Sequence, residues 1–233
     1  MVLRPVRCVI YDLDGVLLDT EPLYTQATQE IVGRFGKTFD WQLKRHMIGR
    51  PAIESARFLV QALDLPISAE EYLRQRQRRL EKLFREAQPM PGAERFTRTL
   101  ARLGVRQAVA TSSERRLLDC KLSRHRKWFE VFEVLVTGDD PRVRRGKPAP
   151  DIFLVAARAL GAEPGECLVV EDSPAGVAAA KAAGMQAVAM PDPALDTGLF
   201  AGADRVIAGF DELDPMELVP ATELSSDEHD MNG

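Results

Sequence analysis

The 233-residue chain alternates between short apolar runs and longer amphipathic stretches. The short runs are rich in β-branched residues and lack clean apolar-polar alternation, which is typical of strands buried on both faces of a parallel sheet. We predict strands at residues 6–11, 105–110, 134–137, 167–170, 186–190 and 205–208. We predict helices at residues 93–103, 151–160 and 175–183. This order predicts an α/β fold with a doubly wound parallel-sheet, Rossmann-like core.

One long segment departs from this alternation. From about Glu21 to Ala87 the pattern is almost wholly helical, and Ser68 with Glu71 matches a capping box. Glycine and proline residues divide the segment into about four helices. Because the segment is far longer than an ordinary loop, we predict an inserted four-helix-type cap domain at residues 19–88. Residues 1–18 and 89–220 would form the core, and the acidic residues 221–233 a disordered tail.

Composition narrows the class of protein. A formal net charge of -4 with 45% hydrophobic residues is typical of a soluble globular protein and predicts neither a nucleic-acid nor a membrane partner. The basic cluster Arg74, Arg76, Arg78 and Arg79 is interpreted as a solvated helix face. Three cysteines without a Cys-X-X-Cys spacing indicate buried thiols in a reducing compartment, and no signal peptide is recognised. We therefore expect a cytoplasmic monomer.

Polar and charged residues follow several predicted strands at the point where each strand ends. The first strand runs into Asp12 and Asp14, whose i, i+2 spacing turns both side chains to the same side of an extended chain. Ligands of open α/β sheets bind outside the carboxyl ends of the strands, so these side chains should gather at one edge. The resulting set comprises Asp12, Asp14, Thr111, Ser112, Lys147, Glu171 and Asp172.

The charge balance of this set favours a bound metal ion. Four carboxylates stand against one lysine, and each carboxylate pair about 4 Å apart would repel by roughly 4 kcal/mol at an effective dielectric of about 20. A divalent cation removes this repulsion, and an oxygen-only set of ligands selects Mg²⁺ over zinc. A nucleophilic carboxylate, an acid/base carboxyl group, Mg²⁺, a lysine and a hydroxyl together suit phosphoryl transfer through an aspartyl-phosphate.

Single members of the set also have ordinary structural explanations. Thr111 and Ser112 are good helix caps, and an isolated Lys147 is typical of a solvated surface lysine. Glu171 and Asp172 would be favoured by the positive start of the next helix. It is their ordered occurrence across separate segments that indicates a shared site.

Taken together, the segments resemble the haloacid dehalogenase superfamily, in its sugar-phosphatase and β-phosphoglucomutase-like branch with a helical cap. The resemblance extends to about Pro220 and implies a phosphomonoesterase that uses Mg²⁺ and acts on a small phosphate ester. The motifs that carry it are Asp12-Leu-Asp14-Gly15-Val16, Thr111-Ser112-Ser113, Gly146-Lys147-Pro148 and Glu171-Asp172-Ser173-Pro174-Ala175-Gly176.

The resemblance also implies a role for each motif residue. Asp12 would be the nucleophile and Asp14 the general acid/base, with Thr111 and Lys147 acting on the phosphate. The phosphate-binding residues would be Gly15, Thr111, Ser112 and Lys147. The metal ligands would be Asp12, the backbone carbonyl of Asp14 and Asp172, with Glu171 nearby.

Residues 37–44, 123–125 and 137–141 are similar to segments of pseudouridine 5′-phosphatases and glycerol-3-phosphatases, whose substrates this sequence does not separate. Mutases of the branch carry a hinge histidine where this chain has Tyr24, which favours hydrolysis over isomerisation. Two alternatives stay open at this point. One is a phosphomutase of the β-phosphoglucomutase type, and the other is a non-catalytic metabolite-binding protein of the same fold.

The predicted cap should carry the substrate specificity, because a cap closes over the leaving group. The candidates there are His46, Met47, Gly49, Arg50 and Ile53, since Gly49 and Arg50 belong to a loop that contacts substrate in the family that the chain resembles. Tyr24, in the predicted hinge, is a further candidate. An exposed surface position is the ordinary explanation for Arg50 and for His46.

Overall fold

The computed structural model describes residues 3–47 and 52–219 of the chain. The strands are β1 (Cys8–Tyr11), β2 (Leu18–Asp19), β3 (Gln88–Pro89), β4 (Arg106–Ala110), β5 (Val134–Val136), β6 (Cys167–Glu171), β7 (Gln186–Ala189) and β8 (Arg205–Val206). The α-helices are α1 (Glu21–Gly33), α2 (Trp41–Arg45), α3 (Ala52–Ala62), α4 (Ala69–Leu83), α5 (Ala93–Arg102), α6 (Arg115–Lys121), α7 (Arg126–Phe129), α8 (Asp151–Ala159), α9 (Pro174–Ala182) and α10 (Pro215–Leu218). The predicted strands and core helices are present, so the predicted fold class is confirmed.

β1 lies inside the main sheet. Across residues 3–47 and 52–219, six strands form this sheet in the order β5-β4-β1-β6-β7-β8, and every neighbouring pair is parallel. Outward from β1, the strands follow their order in the sequence on both sides, with β4 and β5 on one side and β6, β7 and β8 on the other. A sheet of this kind has its ligand crevice beside the central strand, outside the carboxyl ends. The residues that follow β1, β4 and β6 therefore lie close together.

Successive residues of the central strands enter opposite faces of the sheet. In β1, Cys8 and Ile10 belong to one buried apolar cluster, and Val9 and Tyr11 belong to the other. Buried residues of α8 and α9 complete the first cluster, and buried residues of α5 and α7 complete the second. Helices thus cover both faces, which explains why the strands lack polar alternation.

The inserted segment is helical, as predicted, and contains α1 to α4. It has an apolar cluster of its own, in which Ile31, Leu59 and Tyr72 are fully buried. One half of the predicted capping box is present, because the Ser68 hydroxyl oxygen accepts a hydrogen bond from the Glu71 backbone N–H at 3.1 Å. The Glu71 carboxylate accepts from Arg74 and Gln75 instead. No helix in residues 3–47 and 52–219 has the length and apolar character needed to cross a membrane.

Several short elements of the fold were not predicted from the sequence, α10 among them. β2 and β3 form an antiparallel pair that joins the two connections between the sheet and the inserted helices, with Leu18 opposite Pro89. A strand of two residues is too short for a periodic signal. The same reason explains why the short helices α6 and α7 were missed between the second and third predicted strands.

Candidate active site

Lys147 lies between two carboxylates at the carboxyl ends of the central strands. Its Nζ donates hydrogen bonds to Asp12 Oδ1 and to Glu171 Oε1, and also reaches the Ala110 carbonyl oxygen at 3.2 Å. Asp12 follows β1, Ala110 ends β4 and Glu171 ends β6, so three neighbouring strands position the cluster. The side chains of Lys147 and Glu171 are 7% and 0% exposed, and their charges therefore interact with little screening by solvent.

Burial and mutual repulsion shift the pKa values of this cluster. Burial, together with the charges of Glu171 and Asp14, raises the pKa of Asp12 to about 7, although Lys147 opposes the shift. Burial also raises the pKa of Asp172 well above its usual range, and the carboxylates of Asp12 and Glu171 add to the effect. Both carboxyl groups therefore hold protons more tightly than an exposed aspartate does, which is the electrostatic condition that a bound cation relieves.

The donor set fits a Mg²⁺ ion better than a metal held only by protein side chains. Within the described residues, no three His, Cys, Asp or Glu side chains converge to form a metal cage. Asp12 and Asp172 both line the central cavity, whereas the Glu171 oxygens are occupied by Lys147 and Ser173. Mg²⁺ commonly takes one or two carboxylates and fills its remaining positions with water and substrate phosphate oxygens. The predicted ligands Asp12, Asp172 and the Asp14 carbonyl suit this pattern, with Glu171 as a support for Lys147.

Asp14 is held by Lys121, a residue that sequence reasoning did not select. The Lys121 Nζ lies 2.5 and 2.6 Å from the two carboxylate oxygens of Asp14. The hydroxyls of Thr20 and Ser113 donate to the same carboxylate at 2.7 and 3.1 Å. Lys121 has no exposed surface, and its Nζ lies 4.4 Å from the centroid of the Phe84 ring. Asp14 is therefore more tightly hydrogen-bonded than its position in a turn suggests.

These contacts set the ionisation of Asp14. Burial alone would raise its pKa, but the Lys121 ammonium and the hydrogen bonds from Thr20 and Ser113 together hold it below its usual value. Asp12 and Asp14 are thus shifted in opposite directions although only one residue separates them. The signal for Lys121 in the sequence is weak, because it consists only of a lysine three positions after Leu118 on the buried face of α6.

The loop after β4 brings three hydroxyl residues to the site, but they do not share one environment. Thr111 is fully buried, and its Oγ1 accepts a hydrogen bond from the Ser113 backbone N–H at 3.1 Å. Ser112 and Ser113 line the cavity instead. The next loop presses against this turn, because a Cβ atom on Gly138 would stand only 2.4 Å from the Ser112 carbonyl oxygen. Thr111 therefore supports the turn that presents Ser112.

Gly15 packs directly against a predicted metal ligand. Its φ of +75° favours glycine, and a Cβ atom there would stand 2.4 Å from Asp172 Oδ2. The Gly15 N–H donates to the Leu18 carbonyl oxygen at 2.9 Å. That backbone donor is already satisfied, so the structure supports a packing role for Gly15 beside Asp172 rather than the predicted phosphate contact.

The site opens into a cavity of about 540 Å³ between the sheet edge and the inserted helices. Its sheet side includes Asp12, Asp14, Lys147 and Asp172, and its helical side includes Tyr24 and Arg76. The interpretation of Arg76 as part of a solvated helix face is therefore wrong. Arg74 and Arg78 are exposed as predicted, but α4 turns Arg76 toward the cavity, where it is half-buried.

The structure places the cap and hinge candidates in different surroundings. Met47 and Ile53 pack against the apolar cluster of the inserted helices. Tyr24 lines the cavity, and its ring packs edge-on against Phe84 at a centroid distance of 5.3 Å. His46 is exposed, stacks loosely on Phe58 at 5.6 Å and is not part of the cavity lining. Gly49 and Arg50 lie outside the described residues.

Comparisons with known proteins agree with this geometry. Residues 6–184 match the family described as haloacid dehalogenase-like hydrolase. A Drosophila melanogaster protein named "Probable pseudouridine-5′-phosphatase" is 46% identical over 217 residues, covering 92% of this chain and 94% of that protein. An Arabidopsis thaliana protein named "(DL)-glycerol-3-phosphatase 1, mitochondrial" is 44% identical over 214 residues, covering 90% and 72%. The crystal structure of a HAD family hydrolase from Deinococcus radiodurans R1, with bound phosphate and sodium, is similar with a TM-score of 0.76 and 28% identity, covering 94% of this chain and 100% of that one.

Proposed function

Because the chain belongs to the haloacid dehalogenase-like hydrolase family, we propose that it is a Mg²⁺-dependent phosphomonoesterase that releases phosphate from a small phosphorylated metabolite. One observation carries the proposal. The carboxylates of Asp12 and Asp14, which follow β1, face one cavity, and each forms an ion pair with a different lysine. Asp12 pairs with Lys147, and Asp14 pairs with Lys121. Carboxylates whose environments separate their pKa values are suited to separate tasks in one reaction.

Asp12 would act as the nucleophile and Asp14 as the acid and base. In the first step a carboxylate oxygen of Asp12 attacks phosphorus, the ester P–O bond breaks, and the leaving oxygen takes a proton from Asp14. In the second step Asp14 removes a proton from a water molecule whose oxygen attacks the aspartyl-phosphate. The P–O bond to Asp12 then breaks, which releases inorganic phosphate and restores both side chains.

Lys147 would neutralise charge on the phosphoryl group during both steps. Burial would lower its pKa, but the carboxylates of Asp12 and Glu171 raise it above the usual value, so the ammonium stays charged. Ser112, which lines the cavity, would hold a phosphate oxygen. Mg²⁺, held by Asp12, Asp172 and the Asp14 carbonyl, would supply additional positive charge to the phosphoryl oxygens when bound.

The inserted helices would act as a cap over the leaving group, with residues 19–88 closing onto the core. Support comes from the cavity lining, which combines core residues with Tyr24 and Arg76 of the helical segment. The hydrogen bonds from Lys121 favour the ionised form of Asp14, which suits the base in the second step. For the first step Asp14 must hold a proton, so its contact with Lys121 has to loosen when substrate is enclosed.

The test is phosphate release by the purified chain with Mg²⁺ on a panel of phosphate esters of nucleosides, glycerol and sugars. We expect turnover of at least one ester, its loss on chelation of the metal, and a loss of roughly a thousandfold or more in Asp12→Asn. Asp119→Asn, which changes an exposed aspartate of α6, serves as the matched control. Failure of the whole panel, or wild-type turnover by Asp12→Asn, would contradict the proposal.

The same assay separates the alternatives. A phosphomutase would interconvert sugar 1- and 6-phosphates with little free phosphate. A non-catalytic binding protein would bind esters without turnover and would not form a beryllofluoride adduct at Asp12, since that adduct needs a nucleophilic carboxylate.

A further inference from the structure

A second cavity continues the active site into the inserted helices. It measures about 360 Å³ and shares Asp14, Tyr24, Ala52 and Arg76 with the first cavity. The ester oxygen of a substrate must reach Asp14, whereas its phosphate belongs beside Asp12 and Lys147 in the first cavity. The organic part of the substrate then points past Asp14 into the second cavity, whose lining decides which leaving groups fit.

Arg76 stands where the two cavities meet. Its guanidinium carbon lies 5.7 Å from the centroid of the Tyr24 ring and 5.9 Å from that of the Tyr72 ring. Two aromatic rings therefore fix the orientation of this planar group. Its helix neighbours Arg74 and Arg79 are paired with Glu71 and Glu30.

Arg76 has no such partner in the described part of the chain. Within residues 3–47 and 52–219, no Asp or Glu oxygen forms an ion pair with it. A half-buried guanidinium that has lost part of its hydration needs acceptors from elsewhere. Because Arg76 lines both cavities, a bound substrate would supply those acceptors.

The rest of the second cavity is only weakly charged. Its lining beyond the shared residues comprises Glu21, Thr25, Thr28, Phe39, Lys44, Met47 and Ser55. Lys44 is paired with Glu21 at 2.9 Å and also donates to the Thr25 hydroxyl, so its charge is compensated within the protein. The cavity therefore combines apolar and aromatic side chains with hydroxyl groups, and among the described residues Arg76 is its one cation without an ion-pair partner. Its volume is within the range of sites for ring-containing ligands.

We infer that Arg76 is a specificity-determining residue that recognises the ring carbonyl groups of a nucleobase, so that nucleoside monophosphates are the preferred substrate class. The inference rests on the proposed function and adds the substrate class to it. A guanidinium presents several N–H donors in one plane, which matches carbonyl acceptors in the plane of a ring. A three-carbon polyol offers no flat face with carbonyl acceptors, and it leaves most of the second cavity unfilled.

The experiment compares kcat and KM for uridine 5′-phosphate, pseudouridine 5′-phosphate, glycerol 3-phosphate, 2-phosphoglycolate and p-nitrophenyl phosphate. We expect the wild type to favour one of the two nucleoside esters in kcat/KM by about tenfold or more. Arg76→Ala should lower kcat/KM for that ester by roughly 10- to 100-fold, mainly through KM, as expected for a lost charge-assisted hydrogen bond. The glycerol and nitrophenyl esters should change less than about twofold.

Two further variants make the outcome decisive. Arg78→Ala, an exposed arginine of the same helix, should leave all five substrates unchanged. Arg76→Lys keeps the charge and the packed stem but loses the planar donors, so it should restore little of the nucleoside preference, and it decides the question if Arg76→Ala does not fold.

Three results would overturn the inference. They are an equal loss for all esters in the Arg76 variants, a wild-type preference for glycerol 3-phosphate, and a selective loss for 2-phosphoglycolate, which would assign Arg76 to a carboxylate instead. If the wild type releases phosphate from none of the esters, the proposed function itself fails, which is a distinct result.

Discussion

The Lys121 ammonium lies 2.5 and 2.6 Å from the two carboxylate oxygens of Asp14, and Phe84 lies against its other side with the ring centroid at 4.4 Å. Lys121 ends α6 of the core, whereas Phe84 belongs to the turn through which the chain returns from the inserted helices. The candidate acid/base is therefore in contact, through one buried side chain, with the connection on which a cap would move. Any shift of that connection changes the surroundings of Lys121.

Replacement of Lys121 by methionine should impair the acid/base function of Asp14. Lys121 opposes the effect of burial on the Asp14 pKa, so its removal lets that pKa rise. The base form of Asp14 is then lost at a higher pH, and the acid limb of the kcat profile should move to higher pH. We also expect kcat to fall by roughly 10- to 100-fold at pH 7, within the range of general acid/base contributions. The measurement is kcat against pH for one good substrate.

Lys127→Met is the matched control, because Lys127 is exposed on α7 and should leave both the profile and kcat unchanged. Thermal unfolding of both variants separates a loss of fold from a loss of function. A fully folded Lys121→Met protein with an unshifted acid limb would show that Lys121 does not control Asp14.

The positions of Asp12 and Glu171 in the site could be predicted from the sequence, because the ends of parallel strands lie at one edge of the sheet. Asp12 directly follows the buried run of β1, and Glu171 ends the run of β6, so parallel pairing brings the two together without further information. Lys147 lies in a loop that has no periodic signal of its own. Its place at the site was predicted from the charges that gather at the sheet edge, and the resemblance to a family implied the same contact with phosphate.

The contacts of Lys121 and Arg76 with the site could not be predicted from the sequence, because both residues lie on helices, where charged residues are common. The side of a helix that faces a cavity depends on how the helix packs, and the sequence around Arg76 shows four arginines with nothing to distinguish one of them. Lys121 is buried beside Asp14, which comes from a distant segment of the chain, and both Asp14 and the nearby Ser113 accept its hydrogen bonds. Long-range partners of this kind leave no local trace.

Affinity for Mg²⁺ should depend on pH through Asp12. A carboxyl pKa raised to about 7 means that the metal-free site holds a proton below pH 7, which must leave before the carboxylate can bind metal. We expect the apparent Kd for Mg²⁺ to weaken by up to about tenfold per pH unit as pH falls from 7 to 5, and to level off above pH 8. Titration calorimetry at several pH values measures this dependence. A Kd that is constant from pH 5 to 8 would contradict it, and Asp12→Asn should show a weaker dependence than the wild type.

Asp140 should stabilise the fold at neutral pH and not in strong acid. Hydrogen bonds from the Arg142 side chain and backbone lower its pKa from 3.8 to about 2. A carboxyl group with a depressed pKa contributes stability above its unfolded pKa, and that stability disappears as pH falls toward 2. Because the Arg142 side chain is 58% exposed, we expect Asp140→Asn to lower the free energy of unfolding by only about 0.5 kcal/mol at pH 7.

Urea unfolding at pH 7, 5 and 3 checks this expectation, and the difference from wild type should shrink at the lowest pH. Asp192→Asn is a matched control, because Asp192 also accepts a backbone hydrogen bond, from Ala194, but forms no ion pair among the described residues. A pH-independent effect of Asp140→Asn would assign the stability to the hydrogen bonds alone.

Gly176→Ala should both destabilise the protein and reduce its activity. Within a helix this change ordinarily stabilises by up to about 1 kcal/mol. Here the new Cβ atom would stand within 2.2 Å of both Glu171 oxygens, and Glu171 is fully buried, so the carboxylate has no free space to move into. Overpacking of this kind costs roughly 1–3 kcal/mol. A displaced Glu171 would also release Lys147, which donates to it at 2.5 Å, and kcat should fall with stability.

Urea unfolding and kcat, measured together, test both effects. Gly165→Ala is the control, because a Cβ atom there meets no neighbour within 4 Å and should change neither quantity. A Gly176→Ala protein as stable and as active as the wild type would show that Glu171 can move without disturbing Lys147. A stable variant with reduced kcat would instead locate the whole effect in the positioning of Lys147, because the fold would then have tolerated the added methyl group.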